Sequence, residues 1–236
     1  MCTVTLLPLA NNDFILTSNR DESPKRKTIP PQKYVENGVE LFFPKDELAG
    51  GTWIGISEKK RLICLLNGGF EKHQRQESYN MSRGVIVKQL LQVDNPVEII
   101  EHFDFNNIEP FTIVLVDWSN SLYAYELVWT GVEKHFSKLK NKPHIWSSST
   151  LYTDEMKALR KTWFTQWLDE NPEYTQQDIL EFHQDETKGN SEISLKMKRS
   201  YVETVSITSV QKKEKNVAIT YLDFISNTNF LEDSVF

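Results

Sequence analysis

Short strand-forming runs joined by tight turns recur along the chain and constrain its fold more than any other feature. The first pair, Thr3–Leu9 and Phe14–Ser18, flanks the turn-forming sequence ANND. A second pair consists of GGTWIGIS (Gly50–Ser57) and RLICLLN (Arg61–Asn67). Hairpins join neighbouring antiparallel strands, whereas parallel strands need long crossover connections. The pattern therefore predicts antiparallel sheets rather than repeated βαβ units.

Helices separate the later strands. Helical spacing and capping residues predict helices after Ser82, from Asn95 and Pro96, over Thr153–Asn171 and over Gln176–His183. In the longest helix, Leu159 and Trp163 are expected to be buried. The segments Glu22–Gly38, which contains three prolines, and Gly68–Tyr79 are predicted to be loops. Further strands are predicted at Phe111–Asp117, Leu122–Trp129, Val132–Phe136, His144–Ser147, Val202–Gln211 and Asn216–Leu222.

Length and charge narrow the class of protein. The 236 residues suit one domain spanning 1–236, and 39% hydrophobic with 25% charged residues is ordinary for a soluble globular protein. The net charge of −6 argues against a nucleic-acid partner. No secretory signal and no apolar run long enough to span a membrane is visible in the sequence, so a cytoplasmic protein is expected.

Cys2 is the first candidate for chemistry. Removal of Met1 would leave Cys2 with a free α-amine, whose pKa of about 7.7–8.0 suits a base at neutral pH. The same residue would supply a thiol nucleophile. The alternative is that Cys2 is an ordinary strand residue. Cys64, by contrast, lies within an apolar run and reads as a buried small hydrophobic residue. The histidines show no spacing typical of a catalytic dyad or a metal site, and no metal or cofactor is predicted.

The sequence SNRDES, at positions 18–23, ends the second strand of the first hairpin and therefore lies near the chain start. One interpretation is a solvated turn with a capping side chain. The functional interpretation is that Asp21 binds the α-amine of Cys2. Arg20 would then lower the pKa of the thiol or hold an anionic part of the substrate, because its charge is permanent.

Several motifs together resemble the NRDE family, the family of transport and Golgi organization protein 2. They are Cys at position 2, NRDE at Asn19–Glu22, AGGTWIGI at Ala49–Ile56, Asn67 after a strand, and SRG at Ser82–Gly84. The resemblance is strong over residues 1–84 and faint beyond. It implies kinship with the choloylglycine hydrolases and penicillin V acylases of the N-terminal-nucleophile (Ntn) hydrolase superfamily. The implied fold is an α+β, four-layer α-β-β-α sandwich with two antiparallel sheets flanked by helices.

The resemblance also implies roles for individual residues. Cys2 matches the nucleophile and Asp21 matches the Asp that orients its amine, while Arg20 lies near the position of the hydrolases' Arg. Asn67 lies where the hydrolases use an Asn side chain in the oxyanion hole, although a turn residue before two glycines is an equal alternative.

Three further residues are candidates for substrate binding: Asn19, Trp53 and Ser148. Trp53 is more often a core residue than a platform for substrate. Ser148 is the counterpart of an Asn in the hydrolases, and Val205 stands where they place an Arg. Two polar supports of the acyl-transfer site are therefore missing or reduced to a hydroxyl, which argues against efficient amide hydrolysis.

Two functions remain open on this reading. The first is an N-terminal-cysteine amidohydrolase or acyltransferase acting on a C–N amide bond of a small molecule. The alternative is a non-catalytic carrier or binding protein for a hydrophobic ligand, a lipid or haem, on the same fold. The resemblance implies links to membrane traffic, lipid homeostasis and haem handling, which would suit the carrier.

Overall fold

The computed structural model of the chain describes residues 3–236, and Met1 and Cys2 lie outside the described part. Within residues 3–236 the chain forms strands, α-helices and one short 3-10 turn at Ala10–Asn12. The strands are β1 Thr3–Pro8, β2 Phe14–Glu22, β3 Thr28–Glu36, β4 Val39–Asp46, β5 Ile54–Ser57, β6 Arg61–Asn67, β7 Phe111–Asp117, β8 Tyr123–Trp129, β9 Lys134–Lys138, β10 His144–Ser147, β11 Glu203–Lys213, β12 Asn216–Asp223 and β13 Thr228–Glu232. The helices are α1 Arg83–Gln92, α2 Pro96–His102, α3 Asp154–Glu170 and α4 Gln176–His183.

The described residues group into two compact units, 3–25 with 142–236, and 26–141. The first unit holds an antiparallel sheet in the strand order β10-β1-β2-β11-β12-β13. Helices α3 and α4 pack on one face of this sheet. Their shared core contains Leu7, Ile15, Phe164, Trp167, Ile179, Phe182 and Leu195.

The second unit holds the antiparallel sheet β3-β4-β5-β6-β7-β8-β9. Helices α1 and α2 contribute apolar side chains to the core on one of its faces, among them Ile86, Leu90 and Ile100. Cys64, in β6, is fully buried, as its apolar surroundings in the sequence predict. The prediction of one domain over 1–236 stays a prediction beside this grouping into two units.

Many predicted elements are present with nearly the expected bounds. Strands β1, β6, β7 and β10 and helices α1 to α4 follow the sequence pattern. Two of the three predicted helix caps form: Thr153 accepts a hydrogen bond from the backbone N–H of Met156, and Asn95 accepts one from that of Glu98. Ser82 stands at the start of α1, but its side chain makes no capping hydrogen bond. Capping side chains satisfy backbone donors that the first helical turn leaves unpaired, which is why they mark helix starts in a sequence.

The prediction of a loop over Glu22–Gly38 is wrong, because β2 runs on to Glu22 and β3 occupies Thr28–Glu36. Prolines argue against a central strand, since they cannot donate to the hydrogen-bond ladder. However, β3 is the edge strand of its sheet, and its register with β4 shifts between Ile29 and Gln32, where Pro30 and Pro31 stand. An edge position and a local irregularity are the two places where a sheet accepts proline.

The predicted burial of Leu159 is also wrong. Leu159 is exposed, and Trp163 is half-buried. The buried stripe of α3 consists instead of Arg160, Phe164 and Trp167. The helix is rotated by about one residue relative to the prediction because an arginine, Arg160, points into the core.

Among the described residues, none of the helices is both long and apolar enough to cross a membrane.

Candidate active site

The Asn19–Glu22 motif forms the end of β2, and strand alternation divides its side chains between two faces of the sheet. Asn19 and Asp21 contact residues on the side of α3 and α4, as their hydrogen bonds show. Arg20, between them, therefore faces the opposite side. All three side chains are buried. The motif is thus part of the sheet interior and not the solvated turn that was the alternative interpretation.

Asp21 is held by two hydroxyl groups. The Tyr152 hydroxyl donates to Asp21 Oδ2 at 2.7 Å, and Thr204 Oγ1 donates to Oδ1 at 2.6 Å. Thr204 lies opposite Asp21 in the β2–β11 pairing, while Tyr152 follows β10. Because each carboxylate oxygen has its own donor, the orientation of Asp21 is fixed within this unit.

Asn19 ties β2 to α4. Its Nδ2 donates to the carbonyl oxygens of His183 and Leu195, at 3.0 and 2.8 Å. Its Oδ1 therefore faces Nδ1 of the His183 ring, which must carry the proton there. Thr5 Oγ1 lies 2.8 Å from the other ring nitrogen and donates to it. The substrate-binding role of Asn19 stays a prediction, and these contacts tie its side chain to the protein interior.

The pKa of His183 is lowered to about 3, first by burial and second by the nearby positive charge of Arg160. The ring is therefore neutral at physiological pH. A neutral ring fits the hydrogen bonds described above, with one nitrogen donating and the other accepting.

Ser148 lies in the turn that delivers Tyr152 to Asp21. Its carbonyl oxygen accepts hydrogen bonds from the backbone N–H groups of Leu151 and Tyr152, and its Oγ lies 2.8 Å from Thr150 Oγ1. The side chain is buried. The structure therefore brings Asp21 and the turn containing Ser148 together through Tyr152.

Val205 is the residue at which the pairing of β11 with β2 is irregular. The register skips from Thr204 to Ser206, so Val205 is the extra residue of a β-bulge. Its side chain is buried, and its carbonyl oxygen accepts a hydrogen bond from the N–H of Phe224. An apolar side chain thus stands next to Thr204, the partner of Asp21.

Asn67 and Trp53 belong to the second unit. Asn67 is the last residue of β6, is half-buried, and pairs with Phe111 of β7. Gly68 follows with φ of 89°, a left-handed conformation that glycine adopts without strain. Trp53 is buried just before β5, and its carbonyl oxygen accepts a hydrogen bond from Leu65.

The AGGTWIGI and SRG motifs meet through their glycines. A Cβ atom on Gly84 would lie 2.9 Å from the carbonyl oxygen of Thr52, and one on Gly51 would lie 3.0 Å from the backbone of Gly84. Neither motif can carry a side chain at this contact without moving a backbone. Arg83, beside it, donates to the carbonyl oxygen of Pro110 and pairs with Glu109 at 3.0 Å.

Cys2, the predicted nucleophile, lies outside the described residues. The structure adds partners that the sequence did not indicate, namely Tyr152, Thr204, His183 and Arg160. The one signal available in the sequence was the position of Tyr152, four residues after the candidate residue Ser148. Within residues 3–236 no group of three or more His, Cys, Asp or Glu side chains could hold a metal ion.

The chain resembles known proteins in its sequence, through one family, and in its fold, through several solved structures. The sequence model of the family described as Transport and Golgi organisation 2 matches residues 1–228. No curated protein sequence is similar enough to match.

Several solved structures are similar in fold. A variant of the conjugated bile acid hydrolase from Clostridium perfringens has a TM-score of 0.58 at 10% identity, covering 98% of this chain and 92% of that one. The N-acylethanolamine-hydrolyzing acid amidase ortholog of Caenorhabditis elegans has a TM-score of 0.61 at 13% identity, with 88% and 92% covered. The penicillin V acylase from Agrobacterium tumefaciens has a TM-score of 0.53 at 11% identity, with 98% and 86% covered.

At such low identity the likeness establishes the fold alone. The predicted fold class is confirmed: two antiparallel sheets flanked by helices, of the Ntn-hydrolase type.

Proposed function

Because the chain belongs to the Transport and Golgi organisation 2 family, we propose that it is an N-terminal-cysteine amidohydrolase or acyltransferase acting on a C–N amide bond of a small molecule. The names of its structural neighbours describe a bile acid hydrolase, an acid amidase and a penicillin acylase. Their fold is shared, and the chemistry proposed for this chain depends on its own residues.

The observation that carries the proposal is the fixed carboxylate of Asp21. It is buried near the end of β2, and its two oxygens accept from Tyr152 and Thr204. The neighbouring strand β1 begins at Thr3, which pairs with Asn19. Cys2 is joined to Thr3 by one peptide bond, so an oriented carboxylate close to that strand end suits the role of holding an N-terminal amine.

In the proposed reaction, the α-amine of Cys2 takes the proton of the thiol, and the sulfur attacks the carbonyl carbon of the amide. A C–S bond forms, and the oxyanion is held by Asn67 and backbone N–H groups. The amine then gives its proton to the leaving nitrogen, the C–N bond breaks, and a thioester remains. Water completes a hydrolysis, or a second nucleophile completes a transfer.

Arg20 is assigned to the thiol or to an anionic part of the substrate. It is buried on the face of β2 opposite Asp21. A permanent cation there would favour a thiolate over a thiol. Trp53, Asn19 and Ser148 remain candidates for substrate binding.

The departures from the hydrolases set an expectation for substrate choice. Val205 carries no charge, and the Ser148 side chain is shorter than an asparagine. Loss of one donor to a developing oxyanion slows acyl transfer by about 10²–10³-fold. We therefore expect weak or no turnover of penicillin V or conjugated bile acids, even with Met1 removed.

The test begins with intact mass, because a retained Met1 blocks the α-amine. Protein without Met1 is then exposed to an activated acyl ester, and covalent adducts are located by mass spectrometry. We expect an acyl adduct on Cys2 that hydroxylamine removes. It should be absent from Cys2→Ala and unchanged in the matched control Cys64→Ala, since Cys64 is fully buried.

Iodoacetamide supplies a second readout, and Cys2 should react faster than Cys64 at pH about 7. Labelling of Cys64 in preference to Cys2, with no acyl adduct, would remove the case for an activated nucleophile. That result would favour a carrier for a hydrophobic ligand, which the apolar Val205 beside Thr204 would suit.

A further inference from the structure

Arg160 is a fully buried cation under the sheet of the first unit. Its Nε donates to the carbonyl oxygen of Ile193 at 3.1 Å, and its two terminal nitrogens donate to Thr3 Oγ1 and to the carbonyl oxygen of Ser194. The guanidinium carbon also lies 3.6 Å from the centre of the Tyr152 ring. One arginine therefore contacts both the first described residue of β1 and the tyrosine that holds Asp21.

Arg160 has no carboxylate partner among residues 3–236, since all its contacts there are with carbonyl oxygens, a hydroxyl and a ring. Burying a charge without an opposite charge in contact is unfavourable. Arg160 and Asp21 instead contact the same tyrosine, one at the ring face and one at the hydroxyl. The ring connects a buried cation to a buried carboxylate.

We propose that Arg160 and Tyr152 are positioning residues that act through Asp21 and Thr3 and keep Cys2 reactive at neutral pH. This inference rests on the proposed function of Cys2. Tyr152 shares the charge of Asp21 through its hydrogen bond, and Arg160 adds a fixed positive charge beside Thr3, the residue that follows Cys2 in the chain.

Tyr152 and Arg160 are both expected to favour the thiolate form of Cys2 and the neutral form of its α-amine. A carboxylate stabilises an ammonium group and destabilises a thiolate, so sharing its charge with Tyr152 weakens both effects. The positive charge of Arg160 likewise favours the thiolate and the neutral amine. The field of Arg160 already acts on a neighbouring group, because it contributes to lowering the pKa of His183.

Several other titratable groups belong to the same sheet or contact the same tyrosine. Arg199 lies 5.2 Å from the Tyr152 ring centre but is only half-buried, so solvent screens its charge. Arg20 lies on the other face of β2, and Glu22 and Glu203 face each other near the end of that strand pair. His183 is neutral at physiological pH, as its lowered pKa dictates.

The test is the pH dependence of Cys2 alkylation by iodoacetamide, followed by mass spectrometry on protein shown to lack Met1. The variants are Arg160→Gln, Arg160→Lys and Tyr152→Phe. Loss of a nearby unit positive charge in a partly buried site raises the pKa of a thiol by roughly one unit. Arg160→Gln should therefore move the profile upward by about one pH unit, slowing labelling at pH 7 up to about tenfold. Tyr152→Phe should move it in the same direction, because Asp21 then keeps its full negative charge.

Arg160→Lys keeps the charge and should restore most of the profile. Arg61→Gln is the matched control, since Arg61 is equally buried and also donates to backbone carbonyl oxygens, but lies in the second unit. It should lower the melting temperature without moving the profile. If Arg160→Gln does not fold, Tyr152→Phe and Arg160→Lys decide the question.

Two failures can be told apart. An unchanged profile in a folded Tyr152→Phe or Arg160→Gln would overturn the positioning role and leave the proposed function standing. A wild-type profile centred near pH 8.5, as for an ordinary thiol, together with no acyl adduct, would remove the proposed function itself.

Discussion

His183 shows how one buried ring makes the free energy of unfolding depend on pH. In the unfolded chain its pKa is about 6.5, whereas in the folded protein it is lowered to about 3. The folded state therefore resists protonation, and the unfolded chain binds the proton first as the pH falls. This contribution to the free energy of unfolding is fully present above pH 6.5 and is lost toward pH 3, at about 1.4 kcal/mol per unit.

Replacing His183 with Gln removes that titration while keeping one donor and one acceptor. We expect His183→Gln to be less stable than the wild type at pH 7, because its amide fits Thr5 and Asn19 less well. The difference in free energy of unfolding should shrink by about 2 kcal/mol between pH 7 and pH 5. Urea denaturation at pH 7, 6 and 5 measures it.

The control is His102→Gln. His102 is exposed on α2 and bonds the carbonyl oxygen of Glu98, so this variant removes a histidine without disturbing the buried ring. A difference for His183→Gln that does not change between pH 7 and pH 5 would mean that the buried ring does not exclude the proton.

Some residues of the candidate site can be recognised in the sequence, whereas others are found only in the structure. Asn19, Arg20 and Asp21 stand together in the sequence, and adjacent polar residues at a strand end attract attention without a structure. Their partners do not, because Tyr152 and Thr204 are 131 and 183 positions from Asp21, and His183 is 164 from Asn19. Such contacts are created by strand pairing over long sequence separations, which no local pattern specifies.

Helix α4 depends on a reciprocal cap at its start. The Thr175 side chain accepts from the N–H of Asp178, and the Asp178 carboxylate accepts from the N–H of Thr175. The helix carries Ile179 and Phe182 into the core and His183 to Asn19. Thr175→Ala should therefore lower the free energy of unfolding by about 1 kcal/mol, whereas Thr175→Ser should retain most of it.

Thr165→Ala is the comparison for this cap. Thr165 is exposed in the middle of α3, where its hydroxyl bonds the carbonyl oxygen of Lys161. Alanine is the better helix former at such a position, so the change should be neutral or slightly stabilising in urea denaturation. Equal losses for the two alanine variants would show that the cap contributes nothing specific.

At the level of elements, the sequence predicted helices α1 to α4 because their apolar spacing is a local signal, as are the caps of α2 and α3. It missed β3 because Pro30 and Pro31 resemble a loop, although an edge strand tolerates them. It misjudged the buried face of α3 because Arg160, a charged residue, occupies a core position. Both errors arise where tertiary contacts reverse a local preference.

At the scale of the molecule, each sheet should show a gradient of stability across its strands. In the first sheet, β2 is central and almost wholly buried, while β13 is an exposed edge strand. Amide hydrogen exchange should be slowest in β2 and β11 and fastest in β13, because edge hydrogen bonds open without disrupting the core. In the second sheet, β6 and β7 should exchange more slowly than β9.

Hydrogen exchange followed by mass spectrometry resolves these strands as separate peptides. Protection of β13 equal to that of β2 would contradict the expected gradient, and would mean that the sheet opens only as a whole.

The alternation along β2 also limits how this protein can evolve. One inserted or deleted residue before Asn19 would turn Arg20 toward the helices and move Asn19 and Asp21 to the opposite side. His183 would lose its amide partner, Tyr152 would lose its carboxylate, and an arginine would face Arg160. Substitutions can accumulate along β2 one position at a time, but the length of the strand between its turn and its polar end cannot change by one.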